Sequence, residues 1–542
     1  MSVRGCRLTV TLVVCGGSLS AWEGACAPVT NATPTGDPYV LSGKRVVFTN
    51  WHYVHPGGFS WVNDAGEGVT VSGSEGPWDA HFRRGEYPHG IRLRALPAQR
   101  VGPLLALEKP WEGKGIRIAT MLADGGKFRG WGNSQDADGN GHACYFESAD
   151  GLQWERPNLG QVEFAGGREN NLMDYQPGCV FIDPSAPPEE RYKEVDLRDL
   201  SDAEFEAYKQ LRPDAWESRA HRSDVGHTYA VTGGVSADGL RWARLPEPLV
   251  VEHSDTQPVC MFDEQLGKYV LYTRNWSVGA RAEGAADDRG LSWIGVGRRS
   301  IGRSESADFH RFPLSEIILE PGPDVLPSDT LYTNCKTTIP GAPDQHLLFP
   351  TVWHTSDDTT SIALASSRDG RVWHWLPGSP VAHTPPFGEW DGGCMFAHPN
   401  LLELPTGDFV LPYTGYLFPH KYPRGQWRYQ PGLLVWPKGR LIALEAEDRG
   451  EFSTVAFMPP GRKLLTNCLT QRAGSILVEV AGRSGGEPLP GRSFAECDPI
   501  IGDRFRHPVT WKGESDLGFE AGNPVLLRFR LEKAAIYCLD FE

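Results

Sequence analysis

The chain has 542 residues, 40% of them hydrophobic, with 62 Gly, 43 Pro, 18 Trp and a formal charge of −15. That length exceeds one hydrophobic core, so two or three domains are expected. The charge argues against a nucleic-acid partner, since nothing would neutralise phosphates, and equally against an anionic membrane surface; neutral or cationic ligands stay compatible.

Abundant Gly and Pro between short strand-like runs, with few helical patterns, predict an all-β protein. At the start of the chain, Arg4 and Arg7 precede an apolar run over 8–14, the form of an export signal. Ala25-Cys26-Ala27 has the small-x-small shape of a cleavage site, although Pro28 follows it, and Ser18-Leu19-Ser20 is an alternative. Residues 1–27 are therefore read as a cleavable signal peptide, which makes the protein secreted or periplasmic. No later segment approaches the ~20 apolar residues of a membrane helix. Residues 28–105 carry short apolar runs between Gly-rich turns, and read as a β segment packing on a neighbouring domain.

From 106 to 440 the chain repeats itself. Ser148-Ala-Asp150-Gly151-Leu-Gln-Trp154, Ser236-Ala-Asp238-Gly239-Leu-Arg-Trp242 and Ser367-Arg-Asp369-Gly370-Arg-Val-Trp373 share one pattern, with Ser306-Ala-Asp308-Phe309-His-Arg-Phe312 as a worn copy. Asp-Gly supplies the positive φ of a tight turn, Ser and Asp side chains satisfy turn N–H groups, and the Trp returns into the sheet. Recurrence over more than two hundred residues means a repeated β unit, and several strands per unit suggest propeller blades. Asp150, Asp238 and Asp369 are accordingly structural.

A second repeat bears on chemistry. Asp174-Tyr-Gln-Pro-Gly-Cys179-Val-Phe181 matches Asp255-Thr-Gln-Pro-Val-Cys260-Met-Phe262 at five of eight positions, with looser relatives at Asp329 to Cys335 and Glu389-Trp-Asp391 to Phe396. Each places an acidic residue ahead of a short apolar run. Starting one blade near 116 and the others near Asp174, Asp255, Asp329 and Asp391 gives five blades. Acids at equivalent ends of innermost strands would converge at one mouth of the central axis.

Blade two is interrupted by the capping box Ser201-Asp-Ala-Glu204, a helical run over 205–211 and the stop at Pro213. It reads as a surface insertion bordering the mouth. Beyond 440 the tags cease, and alternating or apolar runs between Gly/Pro turns read as a β-sandwich over 441–542. Of eleven Cys, three lie in the leader, and most of those in the repeat fall at similar strand positions, as small buried residues rather than disulfides. No cofactor is expected. Asp136-Ala-Asp138-Gly-Asn140-Gly141 followed by Glu147 has the spacing of a Ca²⁺ loop, but strands rather than helices flank it and Ala143 stands where a larger apolar residue is usual.

Pro110-Trp-Glu112-Gly113, Gly126-Lys-Phe-Arg129-Gly-Trp131, Asn170-Asn171, Arg191-Tyr-Lys193, Gly267-Lys-Tyr-Val270 and Ser367-Arg-Asp-Gly370, in that order, resemble a group of exported bacterial proteins assigned to the five-bladed β-propeller glycoside hydrolases. The invertase, levansucrase and arabinanase families are distant relatives of that group. The resemblance spans about 106–440, and the terminal sandwich resembles the group's usual last domain. It implies a carbohydrate substrate and an acidic residue from each of the first three blades: a nucleophile or base, a transition-state stabiliser and a Glu acid. Trp61-Val-Asn63-Asp64 is similar to the invertase-type nucleophile motif, but Ala65-Gly66 follows it in place of Pro-Asn. The Glu has no counterpart after Asp255.

Glycoside hydrolysis needs two carboxyl groups across the scissile bond. The candidates are Asp174, Asp255, Asp329 and Asp391, with Glu112 and Glu389 as acids. Trp390, Trp276, Trp353 and Tyr416 could stack sugar faces, and Arg274 and His354 could bind hydroxyls or a carboxylate. The leading expectation is an exported glycoside hydrolase, exo-acting if the insertion walls off the mouth. The alternatives are a non-catalytic carbohydrate-binding propeller and, last, a sialidase-like enzyme, whose aspartate box has one more residue between Asp and Gly. Sugar, linkage and oligomeric state are not legible.

Overall fold

Each Ser-x-Asp-Gly-x-x-Trp stretch ties one hairpin with the same local bonds. In the first, the Gly151 N–H donates to Ser148 Oγ at 2.8 Å, and the Leu152 and Gln153 N–H groups donate to Asp150 Oδ1 at 2.8 and 2.7 Å. Trp154 Nε1 then donates to the Gly151 carbonyl at 3.0 Å. The same set recurs at Ser236–Trp242 and Ser367–Trp373. Gly151, Gly239 and Gly370 hold φ of +81°, +74° and +68°, a region L side chains avoid.

The computed structural model describes residues 36–542 except 57–58, 63–67, 73–78, 82–87, 223–226, 281, 284–295, 424 and 484–485. The expected signal peptide and Asn63-Asp64 lie outside the described residues. The fold is almost wholly β, with one α-helix among the described residues, Asp202–Leu211. Both halves of its capping box form: Ser201 Oγ accepts the Glu204 N–H, and Glu204 accepts the Ser201 N–H.

The tags join the third and fourth strands of successive antiparallel sheets. Sheet one runs Gly115–Asp124, Lys127–Gln135, Gly141–Ser148 and Trp154–Glu155. Sheet two runs Cys179–Ile182, Tyr192–Leu200, His227–Ser236 and Ala243–Arg244, with His221–Arg222 beside the third strand. Sheet three holds Val259–Asp263, Lys268–Ser277, Arg298–Ser306 and Glu316–Leu319. Sheet four holds Lys336–Ile339, Ala342–Leu348, Ala365–Ser367 and His374–Trp375. Its middle strands resume as Thr351–His354 and Thr359–Ile362 beyond a break at Pro350, a residue with no N–H to give the ladder. Sheet five holds Cys394–Ala397, Phe409–Tyr416 and Tyr429–Trp436, its outer strand is Gln99–Val101 from far upstream, and a single parallel pairing of Tyr429 with Gly115 makes it continuous with sheet one.

Tags also fasten one sheet to the previous one. The Gly239 carbonyl accepts Trp131 Nε1 and the Asp238 carbonyl accepts Arg129 Nη2, both at 2.6 Å, so the tag of sheet two docks on sheet one. All eight described cysteines are free and buried, and Cys179, Cys260 and Cys394 lie on first strands.

The rest of the chain builds a small three-stranded sheet, Phe59–Val62, Gly68–Ser72 and Asp79–His81, and a further hydrogen-bonded sheet of eight strands. Its long members are Ile442–Ser453, Leu464–Gly482 and Val525–Phe541, bent at register shifts such as Thr470/Ser475. Tyr39–Val40, Arg45–Val46 and Arg92–Ala95 pair into it. An apolar core including Phe48, Phe452, Val478, Trp511, Phe529 and Ile536 fills it.

Candidate active site

The run-ins to the first strands deliver side chains to a common place. Residues from all five sheets line one cavity of about 350 Å³: Arg117 from sheet one, Gln176 and Asp196 from sheet two, Asp255 and Gln257 ahead of sheet three, Tyr332 ahead of sheet four, and Phe396, His398 and Tyr416 from sheet five. His420 and Trp427, between the last strands of sheet five, complete the wall. Gln257 bridges the lining, donating to the Ala119 carbonyl at 3.0 Å and meeting His398 Nδ1 at 3.2 Å.

Among the six acids singled out in the sequence, Asp255 alone lines this cavity. Its side chain is 34% exposed and is ion-paired to Arg274, which also donates to the Tyr332 carbonyl at 2.8 Å. The convergence expected of the other acids does not occur, because each is held elsewhere. Asp174 is exposed, and its N–H donates to Gln161 Oε1 at 3.3 Å; its neighbours Gln176 and Pro177 reach the cavity in its place. Asp329 is buried against His354 Nδ1 at 3.0 Å, with His354 Nε2 on Ser361 Oγ at 2.9 Å. Asp391 is fully buried, with both carboxylate oxygens 2.8 Å from Arg100 Nη1 and the Tyr413 hydroxyl donating at 2.8 Å. Glu389 takes the other arm of Arg100 at 2.9 Å. Glu112 is fully buried, accepting Arg156 Nε at 2.6 Å and the Glu108 and Lys109 N–H groups.

Of the expected sugar-binding residues, Tyr416 lines the cavity and Arg274 reaches it through Asp255. Trp390 is a packing residue. Its ring lies 5.7 Å from that of Tyr413, and a Cβ placed on Gly102, Gly415 or Gly432 would come within 2.8, 2.6 or 2.9 Å of it. Trp276 is buried, and Trp353 donates through Nε1 to Asp358 at 2.8 Å. Both rings face the Arg299 guanidinium, at 5.0 and 5.6 Å. In the loop with Ca²⁺ spacing, Asp136 accepts from the Asn140 N–H at 2.8 Å, while Glu147 pairs with Lys127 at the far end of the strand Gly141–Ser148. That strand keeps the two acids apart, and among the described residues no group of three His, Cys, Asp or Glu side chains is placed to hold a metal.

The residue the sequence reading missed is Asp196. It lies on the second strand of sheet two and is half-buried against the cavity. Gly178 opens the way to it: a Cβ there would lie 2.3 Å from the Val195 carbonyl oxygen and 2.7 Å from Asp196 Cβ. The signal was the single repeat position where Gly178 stands against Val259.

Electrostatics separates the two lining carboxyls. Burial pushes the Asp255 carboxyl up, but Arg274, Arg299 and His253 outweigh it, and the group is held below the ordinary carboxylate range. Burial pushes Asp196 up, and the opposing Leu197 N–H and the Arg117 and Arg244 charges do not cancel it. Behind Asp196, buried Glu194 is raised to about 8 by desolvation and the Asp196 charge, although the Tyr175 hydroxyl and the Gly178 N–H donate to it. Burial and nearby cations lower His420 to about 4, and burial with Arg117 lowers His398 to about 3, so both imidazoles are neutral at pH 7. The cavity thus sets one carboxyl above and one below the ordinary carboxylate range, the kind of separation that acid–base catalysis uses.

No family model and no curated protein matches the chain. Solved structures do match, at low identity. An α-L-arabinofuranosidase from Podospora anserina, in complex with cellotriose, is 12% identical over 64% of this chain and 98% of its own, with a TM-score of 0.37. A thermostable family-43 glycoside hydrolase is 12% identical over 61% of this chain and 92% of its own, at 0.36. An N-acetylgalactosamine deacetylase from F. plautii, in complex with blood group B trisaccharide, is 12% identical over 64% of this chain and 96% of its own, at 0.35.

Proposed function

We propose that the protein is an exported glycoside hydrolase that cleaves glycosidic bonds of oligo- or polysaccharides in the cavity shared by the five sheets. The observation that carries this reading is the opposite displacement of Asp196 and Asp255 within one lined cavity. Asp196 is the general acid, which protonates the leaving oxygen. Asp255 is the ionised partner, acting as base or nucleophile across the bond. Tyr332, Phe396, Tyr416 and Trp427 supply ring surfaces for sugar faces. We read the five sheets as the blades of a propeller over 106–440, closed by Gln99–Val101, and the last sheet as a sandwich over 441–542.

The test is a panel of aryl glycosides with wild type, Asp196→Asn and Asp255→Asn. Hydrolysis should fall by about two orders of magnitude or more in each variant. Leaving groups that need no protonation should spare Asp196→Asn. Undiminished hydrolysis in both variants removes the proposed acid pair. A second reading, a carbohydrate-binding propeller without catalysis, is favoured by the ion pair that ties Asp255 to Arg274. It predicts sugar binding with no turnover on any member of the panel.

A further inference from the structure

Arg299 is the second residue of the third strand of sheet three and is half-buried. Its guanidinium lies 5.0 Å from the Trp276 ring, 5.1 Å from Tyr332 and 5.6 Å from Trp353. Among the described residues it has no hydrogen bond and no ion pair, and its buried Nε is unpartnered. Three aromatic faces attract a cation, but they accept no directed hydrogen bonds from the planar fork of donors. A half-buried guanidinium whose buried Nε has no acceptor is costly, and an anion would offset that cost. Neighbouring Arg274 makes matters worse: its like charge, after burial, lowers Arg299 to about 10.

The site adjoins the cavity through Tyr332. Tyr332, which lines it, carries the Arg274 guanidinium 4.4 Å from its ring centre as well as that of Arg299. The charge of Arg299 acts on two more lining residues, Asp255 and His420. Arg117 stands in the wall itself, a third guanidinium in addition to Arg274 and Arg299 beside Tyr332. Against these three guanidiniums stand two carboxyls, Asp255, already matched by Arg274, and Asp196. The cavity is therefore locally cationic although the chain carries −15 overall.

We propose that Arg299, beside the Arg274–Asp255 pair, binds the carboxylate of an acidic sugar, so that the preferred glycans carry uronic acid. This rests on the reading of the cavity as a glycan site. The guanidinium fork matches a carboxylate in bidentate fashion, and the aromatic walls suit the apolar face of the same ring.

Calorimetry with the methyl glycosides of D-glucuronic and D-galacturonic acid, each against its carboxyl methyl ester, tests the assignment on the full chain. Wild type should bind at least one acid about tenfold or more tightly than its ester, with the difference shrinking as salt is raised. Arg299→Gln should bring the acid to the level of the ester, and Arg299→Lys should retain part of the preference. Circular dichroism checks the fold of both variants, and the wild-type comparison stands even if neither folds. Equal affinity for acid and ester, binding of neither, or an acid preference that survives in folded Arg299→Gln overturns the inference. Uronate binding without turnover of any aryl glycoside would retain it while removing the hydrolase reading; turnover of neutral glycosides without acid preference would do the reverse.

Discussion

Asp391 stands where the acidic repeat puts a catalytic carboxylate, yet the structure makes it a brace. Asp391→Ala removes two contacts to Arg100 Nη1 and one from the Tyr413 hydroxyl, all at 2.8 Å, from a side chain with 0% exposure. Breaking a buried ion pair by deleting one partner costs about 3–5 kcal/mol. Arg100 is 30% exposed and keeps Glu389 at 2.9 Å, so part of its loss is recovered. Tyr413 has no such substitute and leaves a buried hydroxyl wanting an acceptor. The lower end of the range, about 3 kcal/mol, is expected, which for a cooperative unit of several hundred residues lowers Tm by about 5 °C. Arg100 sits on Gln99–Val101, so the loss loosens the outer strand of sheet five. Scanning calorimetry reads the stability, and turnover per folded molecule on a responsive aryl glycoside reads the chemistry. A destabilised variant with near-normal turnover is the expected result. Unchanged Tm with abolished turnover would mean that Asp391 does chemistry, and the assignment of the cavity would fail.

The pH profile of kcat/KM should rise on its acid side as Asp255 ionises, below the usual carboxylate range, and fall on its alkaline side as Asp196 loses its raised proton. Arg274→Gln removes a countercharge and leaves burial in place, so the acid limb should move to higher pH; an unmoved limb refutes the role of Asp255. Glu194 holds its proton to about 8 in the folded state, against about 4.5 for a free glutamate. Its contribution is therefore fully present below about 4.5 and lost as pH rises through about 8, at up to about 1.4 kcal/mol per pH unit. Urea unfolding at pH 5 and pH 8 should show Glu194→Gln gaining on wild type at the higher pH, and parallel behaviour would contradict the burial argument. Gly239→Ala should cost about 2–4 kcal/mol, because φ is +74° and the new Cβ meets Trp131 at 2.9 Å. Gly267→Ala, at φ +61° with open space, should cost only about 1 kcal/mol, and equal losses would dismiss the inter-sheet docking of the tag.

What could be read in advance was what closes over a few residues. The tags carry their own hydrogen bonds within seven positions, so Ser, Asp, Gly and Trp at fixed offsets specify the same hairpin wherever they occur. The capping box at Ser201 and Glu204 is local in the same way. Repetition of these units made sheets in series legible, and the Asp-x-Gln-Pro run-ins marked where those sheets begin.

The role of each acid was not local. Asp174 and Asp255 occupy the same place in one repeat, but only Asp255 meets a guanidinium at the cavity, and Asp391 is claimed by Arg100, a residue 291 positions away. Asp196 belongs to no motif; the missing side chain of Gly178, just ahead of the adjacent strand, gives it room. A carboxyl's charge depends on desolvation and on cations brought near by sheets distant in sequence. Sequence by itself thus determined the repeating hairpins and the all-β texture, because short-range bonds and periodicity encode them. Only the tertiary structure decided which carboxyls share a cavity and which are locked in ion pairs, because the packing of separate sheets sets both burial and countercharge.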